Sequence, residues 1–181
     1  AWFQPERQYN PVTLPNKSTA YVDLGKLSTI ANSLGELSAE AWVRLDATNN
    51  LPTVLNFTDG SNKNEIILGF QSNSTIPQLI VYNASGKQIG SLVASYALSI
   101  GHWSHLAFSV DSSRNASLYV DGNLAASGVL SEMVASKSRA TNFVGRSAAA
   151  TDSNNGYFHG AIHDLRVWNT SRTAAQIQAS L

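Results

Sequence analysis

Gly160-Ala-Ile-His-Asp-Leu-Arg-Val-Trp-Asn169, reached through Arg139-Ala-Thr-Asn-Phe-Val-Gly-Arg-Ser147 and Gly156-Tyr-Phe-His159, is the stretch that decides the fold of this chain. A short apolar strand ends in Gly-Arg-Ser, a polar loop follows, and a long strand runs out through Asp164, Arg166 and Trp168. Period-2 alternation of this kind recurs upstream. Ala39, Ala41, Val43 and Leu45 share one face of a strand, and Glu40, Trp42, Arg44 and Asp46 share the other. Leu106, Phe108 and Val110 alternate with Trp103, His105, Ala107 and Ser109. Leu118 and Val120 alternate with Tyr119. Asp111-Ser-Ser-Arg-Asn115 and Asn83-Ala-Ser-Gly86 read as hairpin loops. Asp121-Gly122 reads as a type I′ turn, whose central positions need positive φ.

Further strands are predicted at 20–24, 53–57, 65–71, 78–82, 87–93, 142–145 and 157–169. The only helical pattern covers 173–181, with Thr173 as N-cap. Ten to twelve short strands without a βαβ rhythm predict an all-β, antiparallel two-sheet sandwich with a short C-terminal helix. The whole chain, 1–181, reads as one domain, with 1–18 an N-terminal extension packed on it or leading into it.

Composition bounds the chemistry. A length of 181 residues suffices for a core without covalent staples, and the absence of cysteine removes disulfides, thiol catalysis and thiolate metal sites. Twelve acidic and twelve basic side chains cancel, with no run of like charge, so nucleic acid is not an expected partner. No apolar stretch reaches the ~20 residues of a membrane span, so membrane insertion is not expected either. The start of the chain lacks the pattern of a signal peptide. Together these features read as a soluble module, processed or cut from a larger multidomain protein.

Charge is low at 13% while serine, threonine and asparagine are abundant. Asn-x-Ser/Thr sequons occur at Asn16, Asn56, Asn73, Asn83, Asn115 and Asn169. That is six, against roughly 3 expected by chance from this composition. They read either as N-glycosylation sites of a secreted protein or as by-products of a polar surface. Both readings point to a secreted or cell-surface location.

Three passages resemble the laminin G-like domains of the concanavalin A-like jelly-roll superfamily of lectins and glucanases. Leu37-Ser-Ala-Glu-Ala-Trp-Val-Arg44 is similar to the family's "φ-x-φ-E-x-W-φ" strand. His102-Trp-Ser-His-Leu-Ala-Phe-Ser-Val-Asp111, with Ala116-Ser-Leu-Tyr-Val-Asp-Gly122, is similar to its "W-x-H-φ-A" strand and "φ-Y-φ-D-G" hairpin. Residues 160–169 match its final "G-x-I-x-(D/E)-φ-R-φ-(W/Y)-N" strand. The resemblance spans roughly 20–178. It implies two stacked antiparallel sheets with loops on the rims, and a binding rather than a catalytic role, although some relatives are enzymes.

Catalysis has little support in the residues. Glycan hydrolysis needs two carboxylates ~5–10 Å apart, and Glu36 and Glu40 are the nearest approach. His102, His105, His159 and His163 lack a nucleophile elbow to complete a triad. Relatives often bind calcium at the rim, which makes Asp152, in Thr151-Asp-Ser-Asn-Asn-Gly156, the candidate ligand; Asp59-Gly-Ser-Asn-Lys-Asn-Glu65 is a second such loop. Plain turn chemistry explains both loops equally well. His163 stands where relatives often carry Asp, which counts against calcium.

Glycan binding needs exposed rings flanked by amides or charges. Trp42 with Arg44, Tyr119, and Arg166 with Trp168 lie on the polar faces of their strands, and Asp152 and Asn154 in the variable loop. These seven residues are the candidate ligand site, on the rim or the concave sheet face. The competing reading is that Trp42, Trp103 and Trp168 pack beneath the C-terminal helix or the N-terminal segment. In relatives a large side chain often follows Gly-Arg-Ser, whereas Ala148-Ala-Ala150 stands here. The expected function is a non-catalytic extracellular module binding a glycan or a cell-surface or matrix protein. The alternatives are a protein-binding or spacer domain of a larger adhesin and, behind both, a glycan hydrolase or lyase.

Overall fold

The structure is a computed structural model and describes residues 11–181; residues 1–10 of the N-terminal extension lie outside the described residues. Twelve strands and one helix follow in order. They are β1 (Val12–Leu14), β2 (Val22–Asp23), β3 (Leu37–Ala47), β4 (Thr53–Thr58), β5 (Ile66–Phe70), β6 (Pro77–Tyr82), β7 (Gln88–Val93), β8 (Trp103–Val110), β9 (Asn115–Val120), β10 (Asn123–Val129), β11 (Thr141–Val144), β12 (His159–Trp168) and α1 (Ala174–Gln178). Two six-stranded antiparallel sheets result, ordered β1-β12-β3-β8-β9-β10 and β2-β11-β4-β5-β6-β7. This is the predicted jelly-roll sandwich. Part of the expected extension joins it, since Val12–Leu14 pairs with β12 as an edge strand.

The inward faces follow the alternation. Leu37, Ala39, Ala41, Val43 and Leu45 of β3 meet Leu55, Phe57, Leu68, Phe70 and Leu79 of the second sheet in one apolar core. The β9–β10 turn takes the expected backbone, with φ of 49° at Asp121 and 74° at Gly122.

Strand β12 departs from strict alternation, which would set Ile162 on the same face as Arg166 and Trp168. Its register against β3 shifts between His163↔Trp42 and Arg166↔Glu40, and Asp164 adopts a φ of 53°. This bulge adds one residue and reverses the phase of the strand. Ile162 therefore points into the core, while His163 lies opposite Trp42 and Arg166 opposite Glu40. Gly160 is fixed by close approach, because a Cβ there would overlap the Arg44 carbonyl oxygen.

The helix is shorter than predicted. It covers Ala174–Gln178 behind a capping box in which Thr173 and Gln176 satisfy each other's backbone amides. The chain then leaves the helix so that the Ser180 hydroxyl donates to Glu40 Oε2 at 3.0 Å. Ile177, 1% exposed, packs on Ala107 and Tyr119 of the β8–β9 face. Glu40 belongs to a face the alternation marks as solvated, yet it is 1% exposed because this C-terminal segment folds over it.

Candidate functional site

Register across the first sheet sorts its outer face into two halves. One half holds Glu40, Arg166, Ala107 and Tyr119 in neighbouring positions. Helix α1 closes it. Tyr119 is buried against Ile177 and so cannot offer a ring to a ligand, contrary to expectation. Arg166 Nη1 lies 3.1 Å from Glu40 Oε1 and Nη2 lies 3.6 Å from Asp164, so its fork is spent on intramolecular ion pairs. Trp168 sits opposite Ser38 and is capped by the Arg172 guanidinium 4.0 Å from its ring centroid. Arg172 is itself anchored through its backbone N–H to Ser38 and Ser109 hydroxyls. Arg166 and Trp168 are therefore half-buried and already engaged within the chain.

The other half is open. Arg44 faces Trp103 across the β3–β8 ladder, and Trp42 faces both His105 and His163. Trp42 stacks on His163 with centroids 6.1 Å apart, and Trp103 meets His163 edge-on at 4.6 Å. The Arg44 guanidinium lies 5.5 Å from the Trp103 ring and is held by Asp46 through bonds of 2.8 and 2.9 Å. Pro11, Trp42, Arg44, Trp103, His163 and Leu181 line a pocket of about 500 Å³. Trp103 is 37% exposed. The structure thus joins two of the predicted residues, Trp42 and Arg44, and adds Trp103 and His163. Alternation alone could not find that grouping, because the β3–β8 register decides what stands beside Arg44.

Asp152 and Asn154 stand elsewhere, exposed on the β11–β12 loop. This loop is stitched to the β3–β4 turn: the Asn50 N–H donates to Asn154 O, Asn49 Nδ2 to the carbonyls of Ser153 and Tyr157, and Asn50 Nδ2 to Asn155 Oδ1. Arg146 anchors its base, with its guanidinium 4.8 Å from the Tyr21 ring, 5.1 Å from Phe143 and 5.6 Å from Tyr157. Asp152 Oδ1 accepts the Asn154 N–H, an Asx turn. Among the described residues no three His, Asp or Glu side chains converge as a metal cluster. In the 59–65 loop, Asp59 accepts from Asn64 and Ala140 and pairs with Lys137 at 2.6 Å.

Both carboxylates weighed for catalysis are engaged within the fold. Glu36 accepts from Asn32 and Ser171. Glu40 accepts from Arg166 and Ser180, with His105 Nε2 4.0 Å away. In that order the carboxylate lies between serine and histidine, whereas a triad needs the histidine in the middle. Burial pushes the pKa values of His105, His159 and His163 down.

The sequons separate by environment. Asn16, Asn73 and Asn169 are exposed, and Asn115 is exposed while donating to Asp111. Asn83 organises its own hairpin, accepting from Ser85 and Lys87 and donating to Glu132. Asn56 is a correction: it is fully buried, donates to Glu65 and accepts from the Ala148 N–H, which leaves no room for a glycan on the folded domain. No helix among the described residues is long and apolar enough to cross a membrane.

Comparison with solved structures returns the same architecture. Domain 4 of AbnA, a GH43 extracellular arabinanase from Geobacillus stearothermophilus solved with arabinotriose, superposes with a TM-score of 0.68 at 18% identity, over 93% of this chain and 75% of that one. The heptameric SAP-like pentraxin of Limulus polyphemus gives 0.67 at 12%, over 93% and 79%. The CBM40 of the Ruminococcus gnavus IT-sialidase, bound to α2,3 sialyllactose, gives 0.64 at 12%, over 90% and 96%. At these identities the likeness is one of fold. No curated protein sequence matches the chain. The family description does match, across residues 16–178: the chain belongs to the laminin G-like family of the concanavalin A-like lectin/glucanases superfamily.

Proposed function

We propose that this domain is a non-catalytic, extracellular glycan-binding module whose site is the pocket formed by Trp42, Trp103 and Arg44. One observation carries the reading: Trp103 stays 37% exposed beside Trp42, although large aromatic side chains are usually covered. A sugar ring presents a C–H face that stacks on indole and hydroxyls that seek planar polar partners. The Arg44–Asp46 pair supplies those partners at the lip, pre-set by its two hydrogen bonds. Pocket volume, about 500 Å³, falls in the range of small-ligand sites. The arabinotriose and sialyllactose carried by two neighbours of this fold support a saccharide as the class of ligand.

The test is a glycan array followed by calorimetry on the best ligand. Trp103→Ala is expected to weaken binding ~tenfold or more, the equivalent of at least ~1.4 kcal/mol for a buried aromatic contact. Trp168→Ala, already capped by Arg172, is expected to bind as the parent does. A silent array, or full affinity in Trp103→Ala, refutes the reading.

A further inference from the structure

A second cavity, of about 320 Å³, lies at an end of the other sheet. Asn64, the β6–β7 hairpin around Asn83 and residues 132–135 enclose it, and Arg139 lines it. Arg139 is 1% exposed, yet it forms no ion pair among the described residues. Its Nε–H donates to the Asn64 carbonyl at 2.6 Å and Nη1 makes a long 3.5 Å contact with the Lys137 carbonyl. A guanidinium has five N–H donors, so three have no hydrogen-bond acceptor among the described residues. Burial lowers its pKa to about 10, which leaves it charged at neutral pH.

The acids nearby are already engaged. Glu132, on the cavity wall, accepts from Asn83 and pairs with Lys87 at 3.1 Å. Asp59 pairs with Lys137 and accepts from Asn64 and Ala140. Glu65 accepts from Asn56 and Asn62, and burial raises its pKa. The Asp59 carboxylate gives Arg139 some charge support but is itself held by Lys137, and a buried cation with no carboxylate of its own is costly unless an anion completes it. The planar fork of Arg suits a carboxylate.

From this geometry we infer that the Arg139 cavity is a second binding site, and that it takes the carboxylate of an acidic sugar. The sugar part rests on the glycan reading above; the carboxylate part rests on Arg139 alone. Met133, 48% exposed, gives the rest of a sugar ring an apolar wall, and Ser85 gives it a hydroxyl at the mouth.

The experiment is calorimetric titration of the full chain with sodium D-glucuronate and with N-acetylneuraminate, against D-glucose and sodium acetate. At least one sugar acid is expected to bind, glucose not, and acetate ~tenfold more weakly or worse. Arg139→Gln is expected to lower the affinity at least tenfold. Because Arg139 also ties loops together, Ala84→Trp, which plugs the exposed mouth without touching Arg139, is expected to lose the same binding while folding normally. Silence towards both acids, acetate binding as tightly as the sugar acids, or unchanged affinity in Ala84→Trp overturns the inference. Trp103→Ala separates the two sites: it should leave sugar-acid binding intact. If it abolishes that binding instead, the acid occupies the aromatic pocket, and only the Arg139 site falls.

Discussion

Acidification should destabilise this domain through His105. The ring is 1% exposed, Nδ1 has no hydrogen-bond partner, and Glu40 is 4.0 Å from Nε2. Burial pushes its pKa below the ordinary 6.5; Glu40, Asp121 and Asp164 pull it back up only in part, and Arg166 pushes it further down. A histidine whose folded pKa is depressed binds fewer protons than its unfolded counterpart. Stability is therefore retained above pH 6.5 and lost as pH falls through the unfolded value towards the folded one. If the folded ring stays neutral, the loss between pH 7 and pH 5 reaches at most about 2 kcal/mol for this one group. Glu65 acts with the opposite sign. Its folded pKa is raised by burial, so its contribution is present below 4.5 and lost as pH rises. The comparison must accordingly be differential. Urea unfolding of the parent and of His105→Gln at pH 7, 6 and 5 isolates the histidine, because Glu65, His159 and His163 are common to both. The parent should lose stability relative to the variant on acidification, by ~1 kcal/mol or more at pH 5. Parallel curves, or a parent that gains on the variant, would refute the argument that burial governs His105.

Ile177→Ala should destabilise the domain by about 2–4 kcal/mol, because the side chain is 1% exposed against Ala107 and Tyr119. Thermal melting checks this, and the loss should expose Tyr119 to solvent quenching. Calcium held by the β11–β12 loop would have to use Asp152, whose Oδ1 already accepts from Asn154, with amide and backbone oxygens completing the shell. A chelator is expected to leave the melting midpoint unchanged; a drop of several degrees, reversed by calcium and absent in Asp152→Ala, would assign the ion there.

Much of the architecture was legible in the chain. Alternation along 39–46 and 103–110 marks the inward faces, because a side-chain period of two has only one phase that buries the apolar set. Asp121-Gly122 dictates its turn, since few residues other than Gly, Asn and Asp accept positive φ. Thr173 with Gln176 announces the helix start. The site was legible only in part. Trp42 and Arg44 are two apart on one strand, so their shared face follows from the sequence alone. Tyr119 carries the same local signal and is buried nonetheless, because α1 returns over it from about sixty residues away.

What the sequence determined by itself was therefore the local order: strands, turns, the helix cap and the face each residue would take in an unbroken strand. The tertiary structure decided which faces stay open. The bulge at Asp164 turns Arg166 and Trp168 outward, the β3–β8 register sets Trp103 beside Arg44, and the C-terminal segment covers Glu40 and Tyr119. It also leaves Arg139, an unremarkable residue in the chain, as a buried cation at the wall of a cavity. The reason is physical. Backbone preference and side-chain period act over a few residues, whereas burial and charge pairing depend on contacts between segments far apart in sequence.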